Sequence, residues 1–129
     1  MPPIEQLQRV PPLLLDRLER QGIFTTGLLL EVSETRTRRQ TLADQIQVTT
    51  NDVNEWRDEA LLLNLASFGA TEQTLFTQAG IIGLSNLVEL SLDEFRERVD
   101  QAARILQIPA PDDITIEGWW EQAKTLEEE

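Results

Sequence analysis

Carboxylates are the most numerous side chains in this sequence that could do chemistry. The 129 residues include 23 Asp and Glu, with adjacent pairs at Asp93-Glu94 and Asp112-Asp113. Paired carboxylates can act as acid–base groups or as cation ligands. A calcium loop needs spaced oxygen ligands and a glycine at its sharp turn, and the segment 112–117 has neither. We therefore expect no metal site, and Asp112 and Asp113 instead favour the start of the last helix through its dipole.

Other catalytic groups are scarce. The sequence has no His and no Cys, which removes imidazole bases, thiol nucleophiles, disulfides and zinc clusters. Lys124 is the single lysine, and nothing around it in the sequence indicates the desolvated pocket that a Schiff-base lysine needs. The sequence also has no glycine-rich phosphate loop and no serine elbow. It predicts a protein that is not an enzyme and holds no cofactor.

The charge of the chain is strongly negative and unevenly distributed. The formal net charge is −12 at pH 7. Residues 1–64 carry 10 acidic and 7 basic side chains, for a net charge of −3, whereas residues 65–129 carry 13 and 4, for a net charge of −9. An acidic surface repels phosphate backbones and anionic membranes, so the charge disfavours nucleic acid and lipid as partners.

One basic cluster stands out against this background, formed by Arg36, Arg38 and Arg39. Guanidinium groups at this spacing could bind a phosphate or an acidic patch on another protein. They could instead balance nearby Glu31 and Glu34 at a solvated helix start, and the sequence favours this structural interpretation. Both interpretations stay open at the level of sequence, and of the two ligands we expect the acidic protein patch.

The two halves of the chain repeat one pattern. Gly22-Ile23 aligns with Gly80-Ile81, and the motif Trp-x-x-x-Ala-x-x-Leu begins at both Trp56 and Trp119. With short insertions, further apolar positions align in the same order: Leu7 with Leu65, Leu18 with Phe76, Ala43 with Ala103 and Val53 with Ile116. Recurrence over so many positions predicts two copies of one unit, residues 1–64 and 65–129.

Each unit is predicted to be helical, because apolar residues recur at spacings of three and four rather than two. No segment shows the sustained alternation of a half-buried strand, so the sequence predicts an all-α fold. Ser91 and Glu94 form the pattern of a capping box. Gly22 and Gly80 follow short apolar helices, where a left-handed residue is common. Two threonines are predicted N-caps of the tryptophan-containing helices, Thr50 and Thr115.

An apolar residue, a tight turn, a helix ending in Gly-Ile and a second short helix form the layout of the helix-hairpin-helix motif, and residues 10–23 and 68–81 resemble two copies of it. The tryptophan-containing helix extends the resemblance to a domain-of-unknown-function family, common in cyanobacteria, that is built from such units. This resemblance implies two tandem, pseudo-symmetric helix-hairpin-helix units packed as one compact helical body. It implies little about function, because the family is defined by architecture.

The hairpins depart from the DNA-binding version of the motif. That version uses a Gly-apolar-Gly hairpin, whose amides approach a phosphate, followed by lysine. Counting back from Gly22, Arg9 and Pro11 hold the glycine positions and Leu13 holds the lysine position. Pro11 has no N–H to donate. The second copy has Ser67, Gly69 and Thr71 at these positions. We expect hairpins kept as packing corners.

The aromatic residues divide into core and surface candidates. Trp56 and Trp119 lie on apolar helical stripes and are predicted core residues. Trp120 aligns with Arg57, which suggests an outward position and a role as an interface anchor. Packing between the units or against the N-terminal helix is an equal alternative. Phe24, at the first Gly-Ile turn, is either a contact between the units or part of an exposed apolar patch.

The sequence favours a non-catalytic protein–protein interaction module, a small acidic adaptor, scaffold or assembly factor in the cytoplasm. Its predicted protein-binding residues are Trp120, Arg36, Arg38, Arg39 and Phe24. The predicted partner is another protein or complex, and the resemblance suggests a photosynthetic assembly. No segment is long enough to span a membrane. Two alternatives stay open: nucleic-acid binding through the arginine-containing first unit, and a homodimer.

Overall fold

Helices account for the regular structure of the part of the chain that is described. The computed structural model describes residues 2–128, and the predicted unit boundaries at 1 and 129 lie outside that range. Within it there is no strand, only an isolated β-bridge between Pro3 and Thr25. The all-α class predicted from the sequence is confirmed. The chain divides into two compact units, Met1–Asn64 and Leu65–Glu129.

The first unit starts with a short 3-10 helix, Ile4–Gln6, and continues with four α-helices. They are α1 (Pro12–Arg20), α2 (Thr26–Val32), α3 (Arg36–Ile46) and α4 (Thr50–Leu63). Helix α4 packs against α2 and α3, and α3 also contacts α1 and α2. Each helix contributes fully buried side chains, among them Leu18, Leu29, Ile46 and Trp56. The core of this unit is therefore assembled around α4.

The second unit also has four α-helices, α5 (Ala70–Gln78), α6 (Leu84–Val88), α7 (Leu92–Leu106) and α8 (Asp113–Glu128). Helix α8 packs against α6 and α7, and α5 packs against α7. Phe76 lies at the centre of an aromatic cluster whose rings meet edge to face. The centre of its ring lies 4.9 Å from that of Phe68, 5.6 Å from that of Phe95 and 5.2 Å from that of Trp119. The predicted core positions of Trp56 and Trp119 are confirmed.

Two glycines turn the chain after the first helix of each unit. Gly22 has φ 81° and Gly80 has φ 78°, so both lie in the left-handed region that favours glycine. The left-handed turns predicted from the sequence are confirmed. Two glutamines that the sequence analysis did not single out, Gln47 and Gln107, end α3 and α7 in the same conformation, at φ 60° and 59°.

The helix starts show where local prediction succeeded and where it failed. Ser91 accepts from the Glu94 amide at 3.2 Å while the Glu94 carboxylate accepts from the Ser91 amide at 3.1 Å, so the capping box is confirmed. The two threonine caps were wrong. Thr49 caps α4, accepting from the Asp52 amide at 3.1 Å, and Asp112 accepts from the Thr115 amide at 2.7 Å. Thr49 and Asp112 each lie three residues before the amide that donates to them, which is the spacing of an N-cap. Thr50 and Thr115 instead lie inside the helices.

Candidate functional site

A carboxylate of α4 holds the segment that precedes α1 in the first unit. The backbone amides of Gln8 and Arg9 donate to Glu59 of α4 at 2.7 and 3.1 Å. Glu59 is only 2% exposed. The Arg9 guanidinium lies 3.7 Å from the carboxylates of Glu55 and Asp58 on the same helix. The amides nearest the predicted hairpin glycine positions are therefore already paired with an internal anion.

The protonation of this buried carboxylate differs from that of a surface glutamate. Burial raises the pKa of Glu59, while the amide hydrogen bonds from Gln8 and Arg9 and the charge of Arg9 oppose that rise. Nearby Asp58 adds a smaller repulsion that acts in the same direction as burial. The net effect is a raised pKa, because the free-energy cost of removing the anion from water exceeds the stabilisation that the hydrogen bonds and the Arg9 charge provide.

In the second unit a neutral side chain of α8 holds the segment that precedes α5. When Trp56 is aligned with Trp119, Glu59 corresponds to Gln122. Gln122 Oε1 accepts from the Ala66 amide at 3.0 Å, and the Trp119 indole donates to the Ala66 carbonyl at 2.8 Å. In each unit, a side chain of the last helix therefore accepts a hydrogen bond from a backbone amide in the segment that precedes the first α-helix of that unit. Sequence reasoning missed this contact, although the shared helix position of the two side chains was the available signal.

Two of the three predicted arginines bind backbone carbonyls at the C-terminal end of α2 and just beyond it. Arg39 Nε donates to the Ser33 carbonyl at 2.9 Å and Arg39 Nη2 to that of Glu34 at 3.2 Å. Arg38 Nη1 donates to the Glu31 carbonyl at 3.1 Å and lies 3.7 Å from the Glu34 carboxylate. Cations near a helix C-terminus stabilise its unpaired carbonyls. Arg38 and Arg39 thus have a structural role, whereas Arg36 is exposed to solvent.

Arg57 completes this group of cations and was not singled out from the sequence. Its Nη1 donates to the Leu30 carbonyl at 3.0 Å and to the Ser33 hydroxyl at 2.9 Å. Burial lowers the pKa of Arg57, and the nearby charge of Arg39 lowers it further. The predicted arginine cluster is therefore continuous with a half-buried arginine that holds the end of α2.

Trp120 is half-buried within the second unit. Its indole N–H donates to the Leu90 carbonyl at 3.0 Å, just past the end of α6. Lys124 Nζ lies 5.4 Å from the centre of the Trp120 ring and donates to the Val88 carbonyl at 2.7 Å. The Val88 carbonyl corresponds to that of Leu30, which Arg57 binds in the first unit. Trp120 and Lys124 together occupy the place that Arg57 holds in the first unit.

A groove of about 490 Å³ opens between α2, α3 and the Gly22 turn of the first unit. Its apolar lining comes from Ile23, Leu28, Val32 and Leu42, and Glu31 and Arg38 are its charged lining residues. Ile23 and Leu42 are buried, whereas Leu28 is 37% exposed. The groove therefore presents an apolar floor to solvent with one charge of each sign at its edge. We call it the first groove.

Phe24 lies next to Ile23 in the chain and is 58% exposed. Its backbone is fixed, because its carbonyl accepts from the Ile4 amide at 2.9 Å and the adjacent Thr25 forms the bridge with Pro3. Among the predicted binding residues, Arg38 lines the first groove and Phe24 follows its lining residue Ile23 in the chain, whereas Trp120 belongs to the second unit. A partner can cover an exposed aromatic ring on a fixed backbone without the conformational-entropy cost of ordering the chain.

The described part of the chain has neither a membrane-spanning helix nor a cluster of metal ligands. Within residues 2–128, no helix combines the length and the apolar character needed to cross a membrane. The same part of the chain has no group of three or more acidic residues placed to hold a metal ion.

Comparison with known proteins places the chain by family rather than by activity. A family model described as Domain of unknown function (DUF4332) matches residues 12–126, which is most of the chain. No curated protein and no solved structure matches it.

Proposed function

The chain belongs to the family described as Domain of unknown function (DUF4332), and we propose that it acts as a non-catalytic protein-binding module, a small adaptor or assembly factor. We further propose that its two units are helix-hairpin-helix-type repeats. The recurrence of corresponding contacts supports this: a side chain of the last helix accepts from the hairpin segment in both units. A cation also binds the corresponding carbonyl, Leu30 or Val88, in both.

The observation that carries the proposal is the first groove, with an exposed apolar side chain in its lining and another next to it in the chain. Leu28 is 37% exposed and Phe24 is 58% exposed, although both belong to a unit with a complete core. Covering apolar surface yields about 25 cal/mol per Å². A few side chains packed in desolvated pockets usually supply most of the binding energy at protein interfaces. A partner protein that inserts a side chain over Leu28 and contacts Phe24 would gain that energy.

Changing Leu28 to glutamate tests the proposal. Leu28 is the third residue of α2, and its amide already donates to the Thr25 hydroxyl. An acidic residue in the first turn of a helix is favoured by the helix dipole, so the variant should fold. It also places a charge on the apolar floor of the first groove. We expect partner binding to weaken at least tenfold, because a desolvated, unpaired charge costs more than the about 1.4 kcal/mol that a factor of ten requires.

The matched control is Leu13→Glu. Leu13 is a leucine of the same unit, lies outside the groove lining and is 63% exposed. Wild-type protein and both variants are used to capture and cross-link partners from cells that contain the native protein, and captured proteins are quantified by mass spectrometry. Support requires a protein retained by wild type and Leu13→Glu but lost with Leu28→Glu. Equal retention by all three proteins, or no specific retention by wild type, would contradict the proposal.

Nucleic-acid binding through Arg36, Arg38 and Arg39 is the alternative function, and two observations weigh against it. Arg38 and Arg39 already donate to backbone carbonyls, and the hairpin amides already donate to Glu59. We therefore expect no binding when labelled duplex or single-stranded DNA is titrated at low salt, where electrostatic attraction is strongest. Salt-sensitive binding that is lost in Arg36→Glu would instead establish the alternative.

A further inference from the structure

The second unit carries a groove of about 250 Å³ at positions that correspond to the first groove. We call it the second groove. The correspondence follows from the alignment of the two units: Gln21 with Ala79, Arg38 with Arg98, Thr41 with Gln101, Leu42 with Ala102 and Gln45 with Ile105. Five lining positions therefore recur, and the charged residue common to both grooves is the arginine on the third helix of its unit.

The second groove combines an apolar surface with a cation. Ile105 is 58% exposed, although it lies on α7, whose buried face includes Ala102 at 2%. The Arg98 guanidinium extends over the glycine turn, since a Cβ added at Gly80 would lie 3.8 Å from its Nη1. An exposed isoleucine beside an arginine offers apolar cover and a charge-assisted hydrogen bond to the same ligand.

Arg98 is the cation of this unit that is positioned for such a ligand. Arg96 lies 3.3 Å from the carboxylates of both Asp93 and Asp113, and Lys124 donates to the Val88 carbonyl. Among the described residues, no carboxylate lies within ion-pair distance of Arg98, which Glu94 attracts only at longer range. Its guanidinium is exposed and available to a group from outside the chain.

We infer that the second groove docks a segment of a partner protein in which a carboxylate neighbours an apolar side chain. The first groove takes the same class of segment, so that one chain has two docking sites. This inference rests on the proposed function and extends it by naming the chemistry of the partner. In the second groove the carboxylate pairs with Arg98 while the apolar side chain covers Ile105. In the first groove the apolar side chain covers Leu28, and the charge of Arg38 attracts the carboxylate while its bond to the Glu31 carbonyl is kept.

The net negative charge of the second unit does not outweigh this pairing. The Debye length is about 8 Å at physiological ionic strength, so distant exposed carboxylates are largely screened, whereas Arg98 would touch the ligand. The grooves also differ in a way that affects selectivity. The first groove is lined by Glu31 as well as Arg38, whereas Arg98 is the charged residue that lines the second. The second groove should therefore discriminate more strongly between acidic and basic segments.

The test selects a phage-displayed library of random 12-residue peptides on two full-length proteins, wild type and Leu28→Glu. The Leu28→Glu variant leaves only the second groove available. From both selections we expect enriched peptides that place Asp or Glu beside Leu, Ile or Phe. A selected peptide is then titrated by calorimetry, and two peptides should bind per wild-type chain. One should bind per Leu28→Glu chain.

Charge reversal locates the second site. Arg98→Glu should leave one peptide per chain and weaken binding at the second groove at least tenfold. Its control is Arg104→Glu, an exposed arginine of the same helix outside the groove lining, which should still bind two peptides. Thermal unfolding of each variant checks that the fold is retained.

Several results would overturn the inference. If wild type bound one peptide per chain and Arg98→Glu did not change this number, the second groove would not be a docking site. The proposed function would be unaffected by that result. Enrichment of basic peptides, or of none, on Leu28→Glu would show that the inferred ligand chemistry is wrong. Concentration-dependent self-association that is lost in Ile105→Glu would identify a second copy of the chain as the occupant. Failure of the proposed function itself is read separately, from partner capture by wild type and Leu13→Glu.

Discussion

Replacing Phe76 with alanine should lower the free energy of unfolding of the second unit by about 3–5 kcal/mol. Phe76 has no exposed surface and meets three other aromatic rings edge to face. The substitution removes the ring at the centre of that cluster and leaves a cavity that its rigid neighbours cannot close. A domain is typically stable by only about 5–15 kcal/mol, so a large share of the stability of this unit depends on one side chain.

The loss is measured by urea unfolding of the full chain, followed by amide hydrogen exchange to assign it to a unit. Amides of 65–128 should exchange faster in Phe76→Ala, while those of 2–64 serve as an internal reference. Phe24→Ala is the matched control, because this phenylalanine is 58% exposed and its truncation should cost less than about 1 kcal/mol. A loss below about 1 kcal/mol in Phe76→Ala would mean that the aromatic cluster does not form the core of the unit.

Replacing Glu59 with alanine should destabilise the first unit by about 2–4 kcal/mol. The substitution leaves the partly buried amides of Gln8 and Arg9 without their acceptor, and a hydrogen bond to a charged group contributes about 1.5–3 kcal/mol. Removing the desolvated anion returns part of that cost. The segment before α1 should therefore lose hydrogen-exchange protection first.

Glu55→Ala provides the control for Glu59→Ala. Glu55 lies on the same helix, is 47% exposed and approaches Arg9 at 3.7 Å, so its ion pair should contribute no more than about 0.5 kcal/mol. Urea unfolding of both variants gives the comparison. Equal losses in the two would show that the effect comes from the helix α4 surface rather than from the buried hydrogen bonds.

The raised pKa of Glu59 also gives this site a pH dependence with a definite sign. Between the ordinary pKa and the raised one, the folded chain binds more protons at this residue than the unfolded chain does. The free energy of unfolding of wild type, relative to Glu59→Gln, should therefore fall as the pH rises through that interval and be constant above it. Paired unfolding curves from pH 4 to pH 8 test this, and a difference that grows with pH would mean that the hydrogen bonds outweigh burial.

Features governed by neighbouring residues could be predicted from the sequence. The apolar spacing predicted helices, and the all-α class followed. The capping box at Ser91 and the left-handed turns at Gly22 and Gly80 were also predicted, because each depends on a few adjacent residues. The cap predictions failed at Thr50 and Thr115, where neighbouring residues could also cap and only the backbone path decides between them.

The candidate site was only partly accessible in this way. Phe24 and the arginine cluster were singled out by residue type, but their partners were not. The role of Arg38 and Arg39 depends on where α3 places them against the end of α2. The grooves escaped notice because their lining comes from segments separated by a turn and a helix, and no local pattern marks such a surface.

The sequence by itself determined the helical class of this protein, the turns that separate its helices and the uneven charge of its two halves, because composition and short-range periodicity carry that information. Only the tertiary structure decided that Glu59 is buried against amides 50 and 51 residues away, that Arg57 holds the end of α2, and that Arg98 lines a groove together with the exposed Ile105. The physical reason is that hydrogen-bond partners and burial depend on residues distant in sequence, whereas helix formation depends on residues within a few positions of one another.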